Sequence, residues 1–369
     1  MSRRTILFAA GGSGGHLFPA LAVAEELLRI DSTLNVEMVA TEKAIDRSIL
    51  NRFSFEHHHL KSVSPSRIWQ QPLKVLQSNW NAWQTARKLI REKSPAVVIG
   101  CGGFASVPLV WAAIRARVPV VLMEQNLVPG QANAWLSRWA NKICLSFEET
   151  KAYLPNSVQH RPQNLVVTGN PVRQSMLPRQ SPPPRLPRQL LILGGSQGAR
   201  HLNQTVVEWV TSRPTELEGW QLIHQTGSND FGAVVQSYRD VDDFLRAEPV
   251  EFIEDPGPFY RSATLIIARA GATSLAEIAC QAAPTLLVPL PSAARDHQTA
   301  NARWYASRGA ARMVIQSSSP SETAVQLAAT ANPLLSDADL RDDLSEKILQ
   351  TARPQAASAC AQLILTQVP

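Results

Sequence analysis

The chain has 369 residues, 44% of them hydrophobic and 18% charged, which is too long for one ordinary core, favours two domains and excludes a disordered polypeptide. The net charge of +6 is uneven: residues 1–180 hold 21 Lys and Arg against 11 Asp and Glu (+10), and residues 181–369 hold 15 against 19 (−4), so the first half suits an anionic surface. Scattered basic residues without a recognition motif argue against nucleic acid, and Cys101, Cys144, Cys280 and Cys360, with no Cys-x-x-Cys pair, exclude a zinc site or disulfide framework and fit a reducing compartment.

Met1-Ser2-Arg3-Arg4 runs straight into the apolar stretch Thr5 to Ala10, too short for a signal peptide, so the protein is expected to stay where it is made. Thr5 to Ala10, Val36 to Ala40, Ala96 to Ile99, Val118 to Met123 and Leu165 to Thr168 read as short strands between helical segments. That alternation predicts a parallel sheet covered on both faces. His57, His58 and His59 lie in a strand-like segment beside Phe53 and Phe55, and with no carboxylate at ligand spacing no metal site is expected there. Ser94 to Ile114 carries no charge, yet Pro95, Gly100, Gly102, Gly103 and Pro108 divide it into strand, turn and helix, which is not a membrane span.

Pro178, Pro182, Pro183, Pro184 and Pro187 read as a stiff linker, after which the alternation restarts. Gln189 to Leu193, Gln221 to His224, Glu251 to Ile253, Leu265 to Ala268 and Thr285 to Val288 supply a second set of strands. The expected architecture is α/β, two doubly wound Rossmann-like domains facing across a cleft. Residues 1–168 form the first, 169–188 the linker and 189–369 the second, with the final helix packing back on the first.

Each half opens with a glycine turn after its first strand, Gly11-Gly12-Ser13-Gly14-Gly15 and Gly194-Gly195-Ser196-Gln197-Gly198. Such turns bring backbone N–H groups and a helix dipole to an anion, although tight packing explains each singly as well. Neither has nucleoside-triphosphate loop spacing, and Glu42 is the one acid placed where a dinucleotide ribose would need it. His16 follows the first turn, with Phe18-Pro19 read as starting the helix. It is either a general base or a hydrogen-bonding partner of a helix end or phosphate. Gly271 to Glu277 opens another helix, with Glu277 on its first turn, as a ribose ligand or a plain helix-start acid. Asp296-His297-Gln298 offers groups suited to sugar hydroxyls.

Together with Gly102-Gly103-Phe104, Glu124-Gln125-Asn126 and Gly169-Asn170-Pro171-Val172-Arg173, these blocks resemble the peptidoglycan N-acetylglucosaminyltransferases of the two-Rossmann-domain (GT-B) class, over essentially the whole chain. The resemblance implies inverting transfer of N-acetylglucosamine from UDP to the MurNAc C4 hydroxyl of undecaprenyl-diphospho-MurNAc-pentapeptide (lipid I), forming lipid II. It implies His16 as the base; Ser196, Ala272, Thr273, Ser274, Leu275, Ala276 and Glu277 around the diphosphate and ribose; Ile253 reading uracil; and Gln298 on the sugar. Arg173 would face the nucleotide or its phosphates, and Ser13, Gly14, Gly15 and Asn126 the donor sugar or acceptor diphosphate. No cofactor or metal is required, a divalent cation acting only as a stimulant. Its partners would be UDP-N-acetylglucosamine, the polyprenyl-diphosphate acceptor, an anionic membrane surface and cell-wall assembly proteins. Its place would be the cytoplasmic face of the bacterial plasma membrane, held peripherally. Met123 and Phe104 replace the family's frequent His and Tyr, which leaves those two acceptor contacts without support.

Lys61 to Lys93 mixes Ile68, Trp69, Leu73, Val75, Leu76, Trp80 and Trp83 with seven cations and one acid. Trp69, Leu73, Lys74 and Trp80 are expected at the membrane, against the alternative that the apolar residues face the core. The rival functions are a related lipid glycosyltransferase, a UDP-N-acetylglucosamine epimerase, a nicotinamide-dependent oxidoreductase and an inactive nucleotide-sugar-binding protein.

Overall fold

The computed structural model describes residues 4–62, 71–178, 188–194, 199–239, 245–291 and 294–368. Residues up to Gln174, joined by those from Arg353 onward, make one compact unit, and Ser175–Ala352 make the other. Residues 179–187 of the proline-rich linker, residues 195–198 with Ser196, and Trp69 lie outside the described residues.

The first unit is built on seven parallel strands among the described residues: β1 (Thr5–Ala9), β2 (Asn35–Thr41), β3 (Glu56–Leu60), β4 (Val97–Gly100), β5 (Val120–Glu124), β6 (Lys142–Leu145) and β7 (Leu165–Val167). Their spatial order is β3-β2-β1-β4-β5-β6-β7, with Leu7 opposite Glu37 and Phe8 opposite Ile99. The order reverses at β1, so the crevice at its carboxyl end is where such a sheet takes ligands. Both faces of β1 are apolar because both are covered. Ile6 and Phe8 pack toward α1 (Gly14–Ile30), whereas Leu7 and Ala9 pack in a second cluster with Ala82, Ala86 and Leu109. Those three come from α3 (Pro72–Lys93) and α4 (Val107–Arg115), which follow the short α2 (Ala44–Leu50). Two shorter helices, α5 (Gln131–Leu136) and α6 (Asn156–Gln159), complete this part of the chain. The uncharged stretch after Ser94 does resolve into β4, a turn and α4. Among the described residues no helix is long and apolar enough to cross a membrane.

The second unit repeats the plan with β8 (Gln189–Leu193), β9 (Gln221–Gln225), β10 (Arg246–Val250), β11 (Leu265–Ala268), β12 (Thr285–Leu287) and β13 (Arg312–Met313), all parallel in the order β10-β9-β8-β11-β12-β13. Its helices are α7 (Arg200–Ser212), α8 (Phe231–Tyr238), α9 (Gly257–Ser262), α10 (Ala272–Cys280), α11 (His297–Ser307), α12 (Pro320–Ser336) and α13 (Ala338–Gln350). The last helix, α14 (Ala356–Leu365), belongs to the first unit, where Cys360, Ala361 and Ile364 join the cluster around α1.

Three strand assignments differ from the sequence reading. Glu251 to Ile253 is not a strand; the chain pairs earlier, over Arg246–Val250. Pro249 concealed it, and is tolerated because β10 is the outermost strand and needs no second ladder. β6 (Lys-Ile-Cys-Leu) and the two-residue β13 went unpredicted.

Candidate active site

In the first unit the chain turns from β1 through Gly11–Gly15 into α1. The helix starts at Gly14, not at Phe18-Pro19, so His16 sits in its first turn and Pro19 lies inside, leaving the Gly15 carbonyl without that helical donor. Ser13 is the N-cap residue but does not cap through its side chain, and the first turn holds no acid. The positive end of a 17-residue helix therefore faces the turn uncompensated from within it. The buried carboxylate of Asp46 holds the turn from behind. It accepts the Gly12 N–H at 3.0 and 2.8 Å, the Thr41 N–H at 3.1 Å and the Thr41 hydroxyl. Gly12 has φ +90°, a conformation open to glycine.

His16 is placed by the turn after β4. A Cβ at Gly102 would stand 3.2 Å from the imidazole Cε1 and Nδ1, and one at Gly103 would stand 3.3 Å from Cδ2. Two glycines thus let backbone lie on the ring. The side chain of Gln125 then fixes the ring's chemistry. Its Nε2 donates to the Cys101 carbonyl at 3.1 Å, which turns its Oε1 to His16 Nδ1 at 3.3 Å. A carbonyl oxygen facing Nδ1 requires the proton there and leaves Nε2 as the basic nitrogen.

Asn126, next in sequence, is oriented by Glu124. That carboxylate accepts from the Asn126 backbone at 2.9 Å and side chain at 3.3 Å, from Gly130 N–H at 3.1 Å and from Asn133 Nδ2 at 2.9 Å. Met123, at the position where the resemblance implies His, is buried, with its carbonyl bonded by Asn133 and its sulfur 3.9 Å from Cys101 Sγ. Arg173 stacks on Phe18 of α1, 4.3 Å from the ring centroid. Ser13, Gly14, Gly15, His16, Asn126 and Arg173 are all in this unit. Glu42 faces Lys61 at 3.9 Å.

In the second unit α10 starts at Ala272 after the N-cap Gly271, so Ala272–Glu277 lies on it and Glu277 falls in the second turn, not the first. The sequence reading placed it too early, and a helix-start acid stabilised by the dipole is no longer the explanation. Its side chain is buried, as is Ile253. Gln298 spends its Oε1 on the Leu290 N–H at 3.0 Å, which leaves its amide NH₂ to donate. Before α11, Arg295 and Asp296 both take positive φ, +57° and +54°, a backbone strain of the kind held at ligand-binding turns. Ser196 cannot be placed, since it lies outside the described residues.

The sequence reading missed Asp46 and Arg269, and it quoted Gln125 in the Glu124-Gln125-Asn126 block without giving it a role. Arg269 immediately follows β11, donates to the Val288 and Pro289 carbonyls at 2.9 and 3.3 Å, and is pushed down to about 10 by burial. Its Nε has no hydrogen-bond partner among the described residues. The signal was a lone arginine between an apolar strand and a glycine turn.

One group could geometrically ligate a metal among the described residues: Glu37, Glu56 and His58. Glu56 directly precedes the histidine tract in sequence, and Glu37 is brought beside it from β2. Lys93, however, already sits there, with Nζ 2.9 Å from Glu37 and 2.7 Å from Glu56. On α3, Val75, Ala82, Ala86, Leu89 and Ile90 face the core, while Leu73, Leu76 and Trp80 are 81%, 60% and 58% exposed and Lys74 is exposed. The helix has two apolar faces, and one is uncovered.

The glycosyltransferase family 28 N-terminal domain matches residues 6–145 and the family's C-terminal domain matches residues 189–356. The chain is 33% identical over 361 residues to the UDP-N-acetylglucosamine–N-acetylmuramyl-(pentapeptide) pyrophosphoryl-undecaprenol N-acetylglucosamine transferase of Myxococcus xanthus, covering 97% of this chain and 91% of that protein. It is 35% identical to the protein of the same description from Desulfotalea psychrophila, covering 98% and 97%. The crystal structure of Acinetobacter baumannii MurG superposes with a TM-score of 0.73 at 30% identity, over 98% of this chain and 99% of that one.

Proposed function

The chain belongs to glycosyltransferase family 28, and on that footing we propose that it transfers N-acetylglucosamine from UDP-N-acetylglucosamine to the MurNAc C4 hydroxyl of lipid I, giving lipid II, with inversion at the anomeric carbon. The observation that carries the chemical step is the chain of contacts from the Cys101 carbonyl through Gln125 to His16. His16 Nε2 takes the proton of the acceptor hydroxyl, whose oxygen forms the new bond to the anomeric carbon. The bond from that carbon to the diphosphate breaks, and UDP leaves with the electron pair. Attack from the face opposite the leaving group inverts the centre.

On the donor side, the backbone around Ile253 reads uracil and the Glu277 carboxylate accepts from the ribose hydroxyls. The N–H groups of Ala272 to Ala276, with Ser196, hold the diphosphate, and Leu275 takes part through its backbone. The Gln298 NH₂ donates to the sugar. Buried Arg269 adds fixed positive charge beside this turn, and charge that develops on the leaving group meets donors already in place. Arg173 meets the phosphates, and Ser13, Gly14, Gly15 and Asn126 bind the sugar or the acceptor diphosphate. No step needs a metal, and a divalent cation would act on the free nucleotide.

The exposed Leu73, Leu76 and Trp80 of α3, interspersed with Lys74 and followed by Arg87 and Lys88, support docking on an anionic bilayer, where the lipid-linked acceptor is found. This reading puts the enzyme on the cytoplasmic face of the membrane, beside cell-wall assembly proteins.

The test is UDP release from UDP-N-acetylglucosamine by the purified chain, with and without lipid I. Acceptor-dependent release with formation of lipid II is expected, and His16→Ala should lower turnover roughly 100-fold or more while UDP binding stays within about threefold. Release without acceptor, or epimerised nucleotide sugar as the product, would overturn it.

A further inference from the structure

Three positive elements converge on the β1–α1 turn. The N-terminal end of α1 contributes a partial positive charge of about half a unit. Arg173 lies over Phe18, whose ring edge is so close to Gly14 that a Cβ there would stand 3.0 Å from it. The third is Lys43, on the connection from β2 to α2. Its Nζ donates to the Gly12 carbonyl at 3.1 Å and stands 5.8 Å from the centroid of Phe104.

Nothing anionic accounts for the position of Lys43. Its neighbour Glu42 faces Lys61, and Lys43 makes no ion pair among the described residues. Asp46 is the acid nearest in sequence on α2, and its oxygens are taken up by the Gly12 and Thr41 donors. An ammonium at the surface, bonded to one neutral carbonyl on the rim of a turn that also receives a helix N-terminus, is placed to pair with an anion that binds there.

We propose that Lys43 is a substrate-contact residue that pairs with a diphosphate at the β1–α1 turn, with Asp46 acting as the positioning residue that holds the turn's backbone beneath it. The diphosphate is that of the nucleotide-sugar donor or that of the lipid-linked acceptor, and the identity of both rests on the transfer reading above. Lys43 donates through an N–H now directed at Gly12 or by a short swing away from it. Phe104 supplies the apolar side against which the lysine stem lies. This gives the phenylalanine a role that does not need the hydroxyl of a tyrosine.

Lys43→Gln and Lys43→Arg test this. Lys43→Gln should lower kcat/KM for one diphosphate substrate roughly 10- to 100-fold, the loss of a charge-assisted hydrogen bond. Lys43→Arg should restore it to within about fivefold, with the melting temperature of both variants unchanged because the side chain is at the surface. Weaker UDP binding in calorimetry assigns the contact to the donor; a raised acceptor KM at unchanged UDP affinity assigns it to the acceptor. Inorganic pyrophosphate, titrated against wild type and Lys43→Gln, gives a readout independent of turnover. If the wild-type chain proves not to transfer sugar, the transfer reading falls, and weaker pyrophosphate binding by Lys43→Gln still supports the site. Unchanged kcat/KM for both substrates with unchanged pyrophosphate binding overturns the proposal, as does a loss that arginine fails to rescue and that tracks a fall in melting temperature.

Discussion

Replacing Gln125 by leucine keeps the side chain's bulk and removes both ends of the link between Cys101 and His16. Gln125 is 2% exposed, so no water takes over, and the Cys101 carbonyl loses its side-chain donor at a stability cost of about 1–3 kcal/mol. At His16 the lost contact is a neutral pair at 3.3 Å, in the weaker half of the usual 0.5–1.5 kcal/mol, roughly. By itself that shifts the tautomer ratio away from the reactive form about two- to fivefold. Release of the ring between Gly102 and Gly103 adds misalignment, so kcat should fall roughly 10-fold. UDP affinity should not move, because Gln125 is not among the proposed nucleotide contacts. The assays are steady-state kinetics, UDP calorimetry and ¹⁵N shifts of the His16 ring, which distinguish a proton on Nδ1 from one on Nε2. A variant with lower melting temperature but kcat within about twofold of wild type, or with the ring nitrogens unchanged, would refute the argument that Gln125 sets the base.

Glu277→Ala should weaken UDP binding by about 1.5–3 kcal/mol through loss of a charge-assisted pair to ribose; unchanged affinity in calorimetry would leave Glu277 a structural acid. Lys74→Glu combined with Trp80→Ser should reduce binding to anionic vesicles and activity on long-chain acceptor while sparing a short soluble analogue; equal losses on both acceptors would count against membrane docking. His224 on β9 is buried between Tyr238 Oη at 2.7 Å and Asn203 Oδ1 at 3.2 Å, and burial pushes it down to about 3. The unfolded chain takes up that proton near its ordinary value while the native state excludes it, so stability falls as pH drops below about 6.5, by about 1.4 kcal/mol between pH 7.5 and 5.5. Urea melts of wild type and His224→Gln should differ in that slope, and parallel slopes would show that the site titrates elsewhere. Glu37 acts in a more acid window. Burial pushes it up, but hydrogen bonds from His58, Lys93 and Asn35 prevail and hold it low. Its contribution is therefore present above the ordinary carboxylate range and lost as pH falls through the native value.

The doubly wound plan was legible because buried parallel strands are short apolar runs closed by glycine, and β1, β4, β8 and β11 are of that kind. Edge strands carry a weaker signal: β10 reads Arg-Ala-Glu-Pro-Val, with one face open to polar residues. The His16 and Glu277 turns were visible for the same reason, as glycine at a strand's end. Their supports were not. Asp46 reaches Gly12 across 34 positions and Gln125 reaches His16 across 109, and local spacing cannot register a contact that only the sheet order creates. The start of α1 was misplaced because proline usually marks a first turn, whereas here two glycines begin the helix ahead of it.

The return of α14 to the first unit orders events during synthesis. The face of α1 that receives Cys360, Ala361 and Ile364, each wholly buried, has no cover until the entire second unit has left the ribosome. The nascent first unit must therefore persist with an apolar groove open for the time taken to translate residues 175–352, roughly 10–35 s at bacterial elongation rates. Over that interval it is a natural client for a chaperone, and the second unit can finish folding before the first is closed.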